Sequence, residues 1–145
     1  MKAMAIQAAL GLLLLTGPVN AQEHEVEWKQ ANQATVGWTA PEGLQSGAPL
    51  PAGDRFAYRV YAKVQGEEEV AEQTTGPLYE QELTLTFTGE GRFLVGVRAL
   101  RMRDDVELSR SPIVWSDNSE IVAEGQPWGI LHYILPEHIT GLLKR

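Results

Sequence analysis

Apolar and polar side chains alternate with a period of two through the middle of this chain. The longest run sets a row of apolar residues opposite Arg59 and Lys63; the row is Phe56, Tyr58, Val60, Ala62 and Val64. A period of two places alternate side chains on opposite faces of an extended strand. The pattern therefore predicts a strand with one buried face and one more polar face.

Similar runs recur along the chain and are separated by turns rich in glycine and proline. They predict further strands near residues 26–28, 34–39, 83–88, 93–99 and 112–122. Short alternating strands without long helices between them are typical of antiparallel sandwiches rather than of parallel βαβ sheets. The predicted fold class is all-β, an antiparallel β-sandwich in one domain.

Charge and cysteine content exclude several functions. The chain has 19 Asp and Glu against 12 Lys and Arg, a formal net charge of −7, and no cysteine. An acidic protein without a compensating basic stripe repels a phosphate backbone, so we expect no nucleic-acid partner. Without cysteine there are no disulfides and no thiolate metal sites, so we expect the fold to be stabilised by packing alone.

The first residues have the pattern of a secretory signal peptide. A positive Lys2 precedes an apolar run, which Gly17 and Pro18 end, and small residues follow at Val19 and Ala21. This predicts a signal peptide over 1–21, cleaved after Ala21, and a periplasmic or extracellular location. The alternative is an uncleaved membrane anchor, although the apolar run is shorter than the ~20 residues that span a bilayer.

Four segments resemble the fibronectin type III family, in the single-module form of exported bacterial proteins. ATVGWTAP at 34–41 is similar to its second strand and YRVY at 58–61 to its third; FLVGVRA at 93–99 and SPIVWS at 111–116 resemble its sixth and last. The resemblance covers most of residues 25–122 and implies an immunoglobulin-like sandwich. Phe93 stands where the family usually has a tyrosine, so the corner hydrogen bond of that hydroxyl is expected to be missing.

Residues suited to catalysis or metal binding do not form a recognisable set. No nucleophile and base occur in a known arrangement, and the acidic residues cluster in predicted turns. His132 and His138 are six residues apart, which is not the spacing that places two ligands on one helical face. We therefore expect no enzyme activity, no cofactor and no metal.

The loops at one end of the predicted sandwich are candidate partner-binding elements. One loop covers 41–55, and the other is the turn near 102–109, where basic and acidic side chains adjoin: Arg101, Arg103, Asp104 and Asp105. Loops at one end of such a sandwich lie together, as in antibody variable domains. The alternative is that both are solvated connections without a binding role.

The C-terminal residues 124–145 form an apolar extension that the resemblance does not explain. The predicted organisation is therefore a signal peptide over 1–21, a domain over 22–123 and an extension over 124–145. A short helix is predicted from Pro136 onward. The candidate partner-binding residues are Trp128, Tyr133, Ile134 and Leu142. Apolar side chains of this size are expected to be buried from water. The surface that buries them can be the chain's own sandwich, another subunit or partner, or a membrane.

These observations favour a non-enzymatic binding or structural module that mediates protein–protein interaction, including self-association, in the cell envelope or outside the cell. The alternative is a glycan-binding accessory module. It would use exposed aromatic side chains such as Tyr61, Trp115 or Trp128.

Overall fold

The computed structural model of the protein describes residues 25–145. The predicted signal peptide over 1–21, with its cleavage after Ala21, lies outside these residues. The strands are β1 (Glu27–Gln30), β2 (Gln33–Gly37), β3 (Asp54–Val64), β4 (Ala71–Glu72), β5 (Glu82–Thr86), β6 (Gly91–Arg103), β7 (Val106–Arg110), β8 (Val114–Trp115) and β9 (Trp128–His132). A 3₁₀ turn occupies Ala123–Gly125.

Two sheets pack face to face, which confirms the predicted all-β sandwich. The main sheet has the order β1–β9–β6–β3–β4, and β7 and β8 also pair with β6. The second sheet consists of β2 and β5. The pairs are antiparallel with one exception, since β1 and β9 run parallel.

The long pair of β3 and β6 forms the centre of the main sheet. It extends from Asp54 opposite Arg103 to Val64 opposite Phe93. Val60 and Ala62 of β3 face the second sheet, as the alternation predicts. The core between the sheets contains Val36, Val60, Ala62, Leu85, Phe87, Val95 and Ile130.

The opposite face of the main sheet is less polar than the alternation suggests. Ala57, Leu100 and Met102 are buried there as a second cluster, against which Tyr79 packs. Tyr61 on the same face is only 8% exposed. The main sheet therefore buries apolar side chains on both faces, and we call this second face the outer face.

The final strand of the sandwich is composite, so the strand predicted over 112–122 is wrong beyond Trp115. Three short strands follow one another along a single edge of β6: β7 beside 100–103, β8 beside 96–97 and β9 beside 91–93. Serine hydroxyls replace backbone partners where this edge is interrupted. Ser111 Oγ accepts a hydrogen bond from the Ala99 N–H at 2.9 Å, and Ser116 Oγ accepts one from the Val95 N–H at 3.1 Å.

Between β8 and β9 the chain leaves the sheet over residues 117–126, which we call the excursion. It returns where the Trp128 N–H donates to the Ser116 carbonyl oxygen at 2.9 Å. The extension expected over 124–145 is thus divided, because Trp128–His132 is a strand of the main sheet and Ile130 lies in its core. The predicted boundary at 123 does not separate a domain from a tail.

The helix predicted from Pro136 is wrong, because residues 133–145 contain neither helix nor strand. A helix this short is marginal in water unless one face packs against a partner. Ile139 and Leu142 are 82% and 92% exposed, so no part of the sandwich supplies that packing.

Candidate functional site

An apolar cleft opens between β2 and the strand β8 with its following excursion. Its volume is about 470 Å³, within the range of ~300–1,000 Å³ that is usual for ligand pockets. Aromatic and aliphatic side chains dominate its lining; they include Val36, Trp38, Tyr58, Val97, Val114, Trp115, Ile121 and Trp128. We call this the sheet cleft.

Trp38 gives the sheet cleft an unused polar group. Its ring meets Tyr58 edge to face, with the centroids 5.4 Å apart. Its Nε1 is covered and has no hydrogen-bond partner among residues 25–145. A covered donor without an acceptor costs about 1–3 kcal/mol. Because Nε1 is itself covered, a ligand in the cleft would reach it only if the Trp38 ring moved.

The excursion supplies one wall of the sheet cleft and is itself held by hydrogen bonds. Asn118 Oδ1 accepts from the Glu120 N–H at 3.0 Å, and the Asn118 carbonyl oxygen accepts from the N–H groups of Ile121 and Val122 at 3.0 and 3.1 Å. This turn places Ile121 at the cleft, where the side chain is 51% exposed. The wall is an ordered surface with apolar contacts to offer.

Backbone groups on one edge of β2 are also available beside the sheet cleft. Gln33–Gly37 pairs with β5 along one edge, and no other strand of the described chain pairs with it. A second shallow groove, bordered by Trp28, Thr35 and Trp128, continues along the same side of the sandwich. An extended peptide can use such an edge, with backbone hydrogen bonds giving affinity and side-chain pockets giving selectivity.

We call residues 133–145 the C-terminal segment. Among the large apolar side chains of the described chain, the five with the highest exposed fractions lie in this segment. Gln30 Nε2 donates to the Tyr133 carbonyl oxygen at 3.0 Å, and the Ile134 N–H donates to Glu90 Oε2 at 2.6 Å. These two contacts tie its beginning to the sandwich. The exposed side chains are Ile134 74%, Leu135 73%, Ile139 82%, Leu142 92% and Leu143 62%.

The sequence-predicted candidates at the C-terminus therefore divide into two groups. Trp128 is half-buried and lines the sheet cleft from its place in β9. Tyr133, Ile134 and Leu142 lie in the C-terminal segment and are exposed. The structure places Trp128 at the sheet cleft with Trp38, and leaves the other three candidates on the C-terminal segment.

The loop-end candidates lie at the turn between β6 and β7 and form an internal ion-pair network. Arg101 Nε and Arg103 Nε donate to the two carboxylate oxygens of Asp54 at 2.7 and 2.6 Å. The side chain of Asp54 is fully covered. Hydrogen bonds from Arg103 and Arg101, together with the positive charges of both side chains, lower the pKa of the Asp54 carboxyl to about 2. Desolvation by burial raises this pKa but is outweighed.

The remaining loop-end acids occupy the turn itself. Asp104 and Asp105 have φ of 50° and 63°, as a tight hairpin turn requires. Asp105 Oδ1 accepts from Arg55 Nη2 at 3.4 Å and from the Tyr79 hydroxyl at 3.3 Å. Arg101, Arg103 and Asp105 thus have partners within the chain, and this network links the loop 41–55 to the turn.

The aromatic residues expected to be exposed for glycan contact are more covered than that expectation requires. Tyr61 is buried, Trp115 is half-buried on the outer face, and Trp128 is half-buried beside the core. The sheet cleft itself was not expected. Trp128 and Ile130 alternate along the chain with Gly129 and Leu131. This period of two could have indicated the strand that borders the sheet cleft.

Residues 25–145 contain no group of three or more Asp, Glu or His side chains able to hold a metal ion. Among the same residues, no helix has the length and apolar character needed to cross a membrane.

The sequence was compared with models of known families and with curated proteins. It matches none of them.

Proposed function

We propose that this protein is a non-enzymatic binding module of fibronectin type III-like type that acts in the cell envelope or outside the cell. In this proposal it mediates protein–protein interaction through the C-terminal segment. The observation that carries the proposal is the exposure of that segment, whose Ile139 and Leu142 are 82% and 92% exposed. Burying a large aliphatic side chain is worth about 1.5–3 kcal/mol, so a partner that covers several gains substantial affinity.

The sheet cleft is an apolar surface on the same chain and could receive the apolar C-terminal segment of another copy. This favours self-association. Apolar side chains line the cleft, and a strand edge that is unpaired within the described residues adjoins it. The C-terminal segment of one copy would occupy the sheet cleft of the next. Such a contact joins two different surfaces, so it extends into chains of copies unless the geometry closes a ring.

Charge supports the same pairing. The two stretches that border the sheet cleft, 38–53 and 111–127, contain acidic residues and no Lys or Arg; the acids are Glu42, Asp117, Glu120 and Glu124. The C-terminal segment ends in Lys144 and Arg145. Opposite charges at the rim of an apolar contact select the partner and its orientation.

A synthetic peptide of residues 133–145 tests the proposal against a chain shortened to end at Ile134. Trp38, Trp115 and Trp128 line the sheet cleft, so peptide binding is expected to change tryptophan fluorescence in a saturable way. A matched peptide carrying Ile139→Asp and Leu142→Asp is the control and is expected not to bind. Equal effects of both peptides, or no effect of either, would contradict binding in the cleft.

A further inference from the structure

The outer face of the main sheet concentrates positive charge in an otherwise acidic protein. Side chains directly opposite one another in an antiparallel pair share a face. The register therefore places Arg59 and Lys63 of β3 on the same face as Arg92 and Arg98 of β6, with Arg110 of β7 beside Leu100. The formal net charge of the whole chain is −7, so this face differs in sign from the molecule that carries it.

Two arginines on this face are direct cross-strand neighbours. Arg59 and Arg98 occupy one antiparallel pair of β3 and β6. Like charges directly opposite each other destabilise a sheet. An anion held between the two guanidinium groups would remove this repulsion.

Two acids lie within this cluster. Glu107 of β7 accepts from Arg110 Nε at 2.5 Å, and Glu72 pairs with only one of the remaining cations. Glu72 of β4 accepts from Arg59 Nη1 at 2.5 Å, but Arg59 Nε is covered and has no partner among the described residues. Arg98 forms no ion pair within residues 25–145; its Nε donates to the Ser111 carbonyl oxygen at 3.0 Å. The Arg98 guanidinium therefore has no acidic partner among the described residues, whereas the covered Arg59 Nε is out of reach of a ligand on this surface.

The pKa of the Glu72 carboxyl is consistent with an excess of positive charge there. Desolvation by burial raises this pKa, but the hydrogen bonds from Arg59 and Thr74 and the charges of Arg59 and Arg110 outweigh it, so the net direction is downward. The Glu72 carboxylate is thus influenced by Arg59, with which it pairs, and by Arg110, which pairs with Glu107.

Aromatic rings hold further cations along the same face. Lys63 Nζ lies 4.3 Å from the centre of the Trp115 ring, and the Arg92 guanidinium lies 5.4 Å from that of Trp28. Arg98 lies 5.7 Å from the centre of the Tyr61 ring. A cation above a ring is stabilised by the ring's negative face. The rings therefore fix these cations on the surface without neutralising them.

Glycines make room for the two tryptophan rings. A Cβ on Gly96 would lie 2.7 Å from the Trp115 ring and 2.6 Å from Ile113. A Cβ on Gly129 would similarly collide with the ring of Trp28. Each ring thus lies close against the backbone of a neighbouring strand, where it is held in place and flanks a cation.

We propose that this outer face, with Arg59, Arg98, Arg110, Lys63 and Arg92 along the sheet, binds an acidic polysaccharide. The polymer's carboxylate or sulfate groups would meet the guanidinium groups, which bind such anions in a planar, two-pronged manner. Its C–H surfaces would contact the aromatic edges. This site lies on the outer face of the main sheet, and Trp115 is a residue that it shares with the sheet cleft. Its ligand and its cations differ from those of the function proposed above.

The shape of the surface favours a polysaccharide over an acidic peptide. The cations lie on the face of a sheet, whereas an extended peptide gains much of its affinity from backbone hydrogen bonds at a strand edge. A polysaccharide that binds through its charged groups and ring faces needs no such edge. An acidic peptide is therefore the competing outcome of the test.

Affinity electrophoresis of the full chain provides the test, with sodium polygalacturonate and dextran sulfate as probes. Neutral dextran, poly-glutamate and single-stranded DNA are the comparison polymers. The expected result is retardation by at least one acidic polysaccharide that weakens as salt is added, because added ions screen exposed charges. Neutral dextran is expected to have no effect, and poly-glutamate and DNA are expected to act more weakly.

The double variant Arg59→Gln and Arg98→Gln is expected to bind the retarding polysaccharide about ten-fold more weakly or worse, because charge-assisted hydrogen bonds are lost. Lys29→Gln removes an exposed charge on the side of β1 opposite Trp28 and is the matched control, expected to change affinity less than about two-fold. The double variant removes a like-charge pair but also the ion pair of Arg59 with Glu72, so its folding is checked separately. A cooperative unfolding transition shows that any lost binding is not lost folding.

Three results would overturn the proposal. The first is no retardation of the full chain by either acidic polysaccharide at low salt. The second is undiminished binding by the folded double variant. The third is binding of poly-glutamate or DNA as strong as that of the polysaccharides, which would identify a non-selective anion surface.

Discussion

The backbone N–H of Trp128 donates to the carbonyl oxygen of Ser116 at 2.9 Å, although the whole excursion lies between them. This bond joins the end of β8 to the start of β9, so the two short strands continue one line along β6. The Ser116 side chain is buried, and its hydroxyl accepts from the Val95 N–H. Ser116 therefore links three parts of the sheet.

Ser116→Ala is expected to destabilise the protein by about 1–3 kcal/mol, because the buried Val95 N–H loses its side-chain acceptor. Chemical denaturation of the variant and the parent measures this difference. Ser119→Ala changes an exposed serine within the excursion and is expected to stay within about 0.5 kcal/mol of the parent. Equal stability of the two variants would argue against a structural role for Ser116.

Gly129→Ala tests whether β9 packs closely against β1. The added Cβ would collide with the ring of Trp28 and lie 2.9 Å from the Phe93 carbonyl oxygen. Overpacking of this kind costs about 1–3 kcal/mol. Gly76→Ala is the matched control, since nothing lies within 4 Å of its added Cβ. Thermal unfolding should show a lower transition for Gly129→Ala alone, and equal transitions would contradict the close packing.

Asp54 is expected to make stability depend on pH. Its folded-state pKa, about 2, lies below the ordinary 3.8, so its ionised form stabilises the folded state above about pH 4, and this contribution is lost as the pH falls toward 2. Asp54→Asn should therefore be less stable than the parent at pH 7, and the difference should narrow between pH 4 and pH 2.

Denaturant titrations at several pH values measure this effect, with the exposed Asp117→Asn as the control for the loss of one carboxylate. For that control we expect little difference from the parent at any pH. A difference between Asp54→Asn and the parent that remains constant from pH 7 to pH 2 would show that the ion pair with Arg101 and Arg103 does not set stability.

The sequence predicted the sandwich well wherever a strand buries one face. Val60 and Ala62 of β3, and Leu85 and Phe87 in and beside β5, lie in the core on the side that the alternation indicates. Burial of one face against a second sheet imposes the period of two. The central strands and the position of the core could therefore be inferred from local pattern. The turn predicted near 102–109 was wrong in extent, because the end of β6 and most of β7 occupy those residues.

The composite final strand could not be inferred in the same way. The apolar residues Ile121 and Val122 resemble a continuing strand, whereas they belong to the excursion and line the sheet cleft. The strand resumes at Trp128 because Ser116 holds the junction through long-range hydrogen bonds. Pairing between distant segments is not recorded in local periodicity, so the sheet cleft was not predicted.

The helix predicted near Pro136 is a second case in which a local pattern did not determine the structure. The residues after Pro136 have the spacing of an amphipathic helix, yet they remain without regular structure. A short helix depends on tertiary packing of its apolar face. The local signal was present, but the surface that would stabilise the helix is not supplied by residues 25–132.

Size-exclusion chromatography with light scattering, on residues 22–145 and on residues 22–134, tests the central claim most directly. Cutting after Ile134 keeps β9 and the hydrogen bonds of Tyr133 and Ile134 to the sandwich, so both forms should unfold at the same temperature. The longer chain is expected to grow in mass with concentration, while the shorter one is expected to stay monomeric. Two monomers at every concentration, with the shorter form clearly less stable, would contradict this expectation and show that the C-terminal segment packs on its own domain.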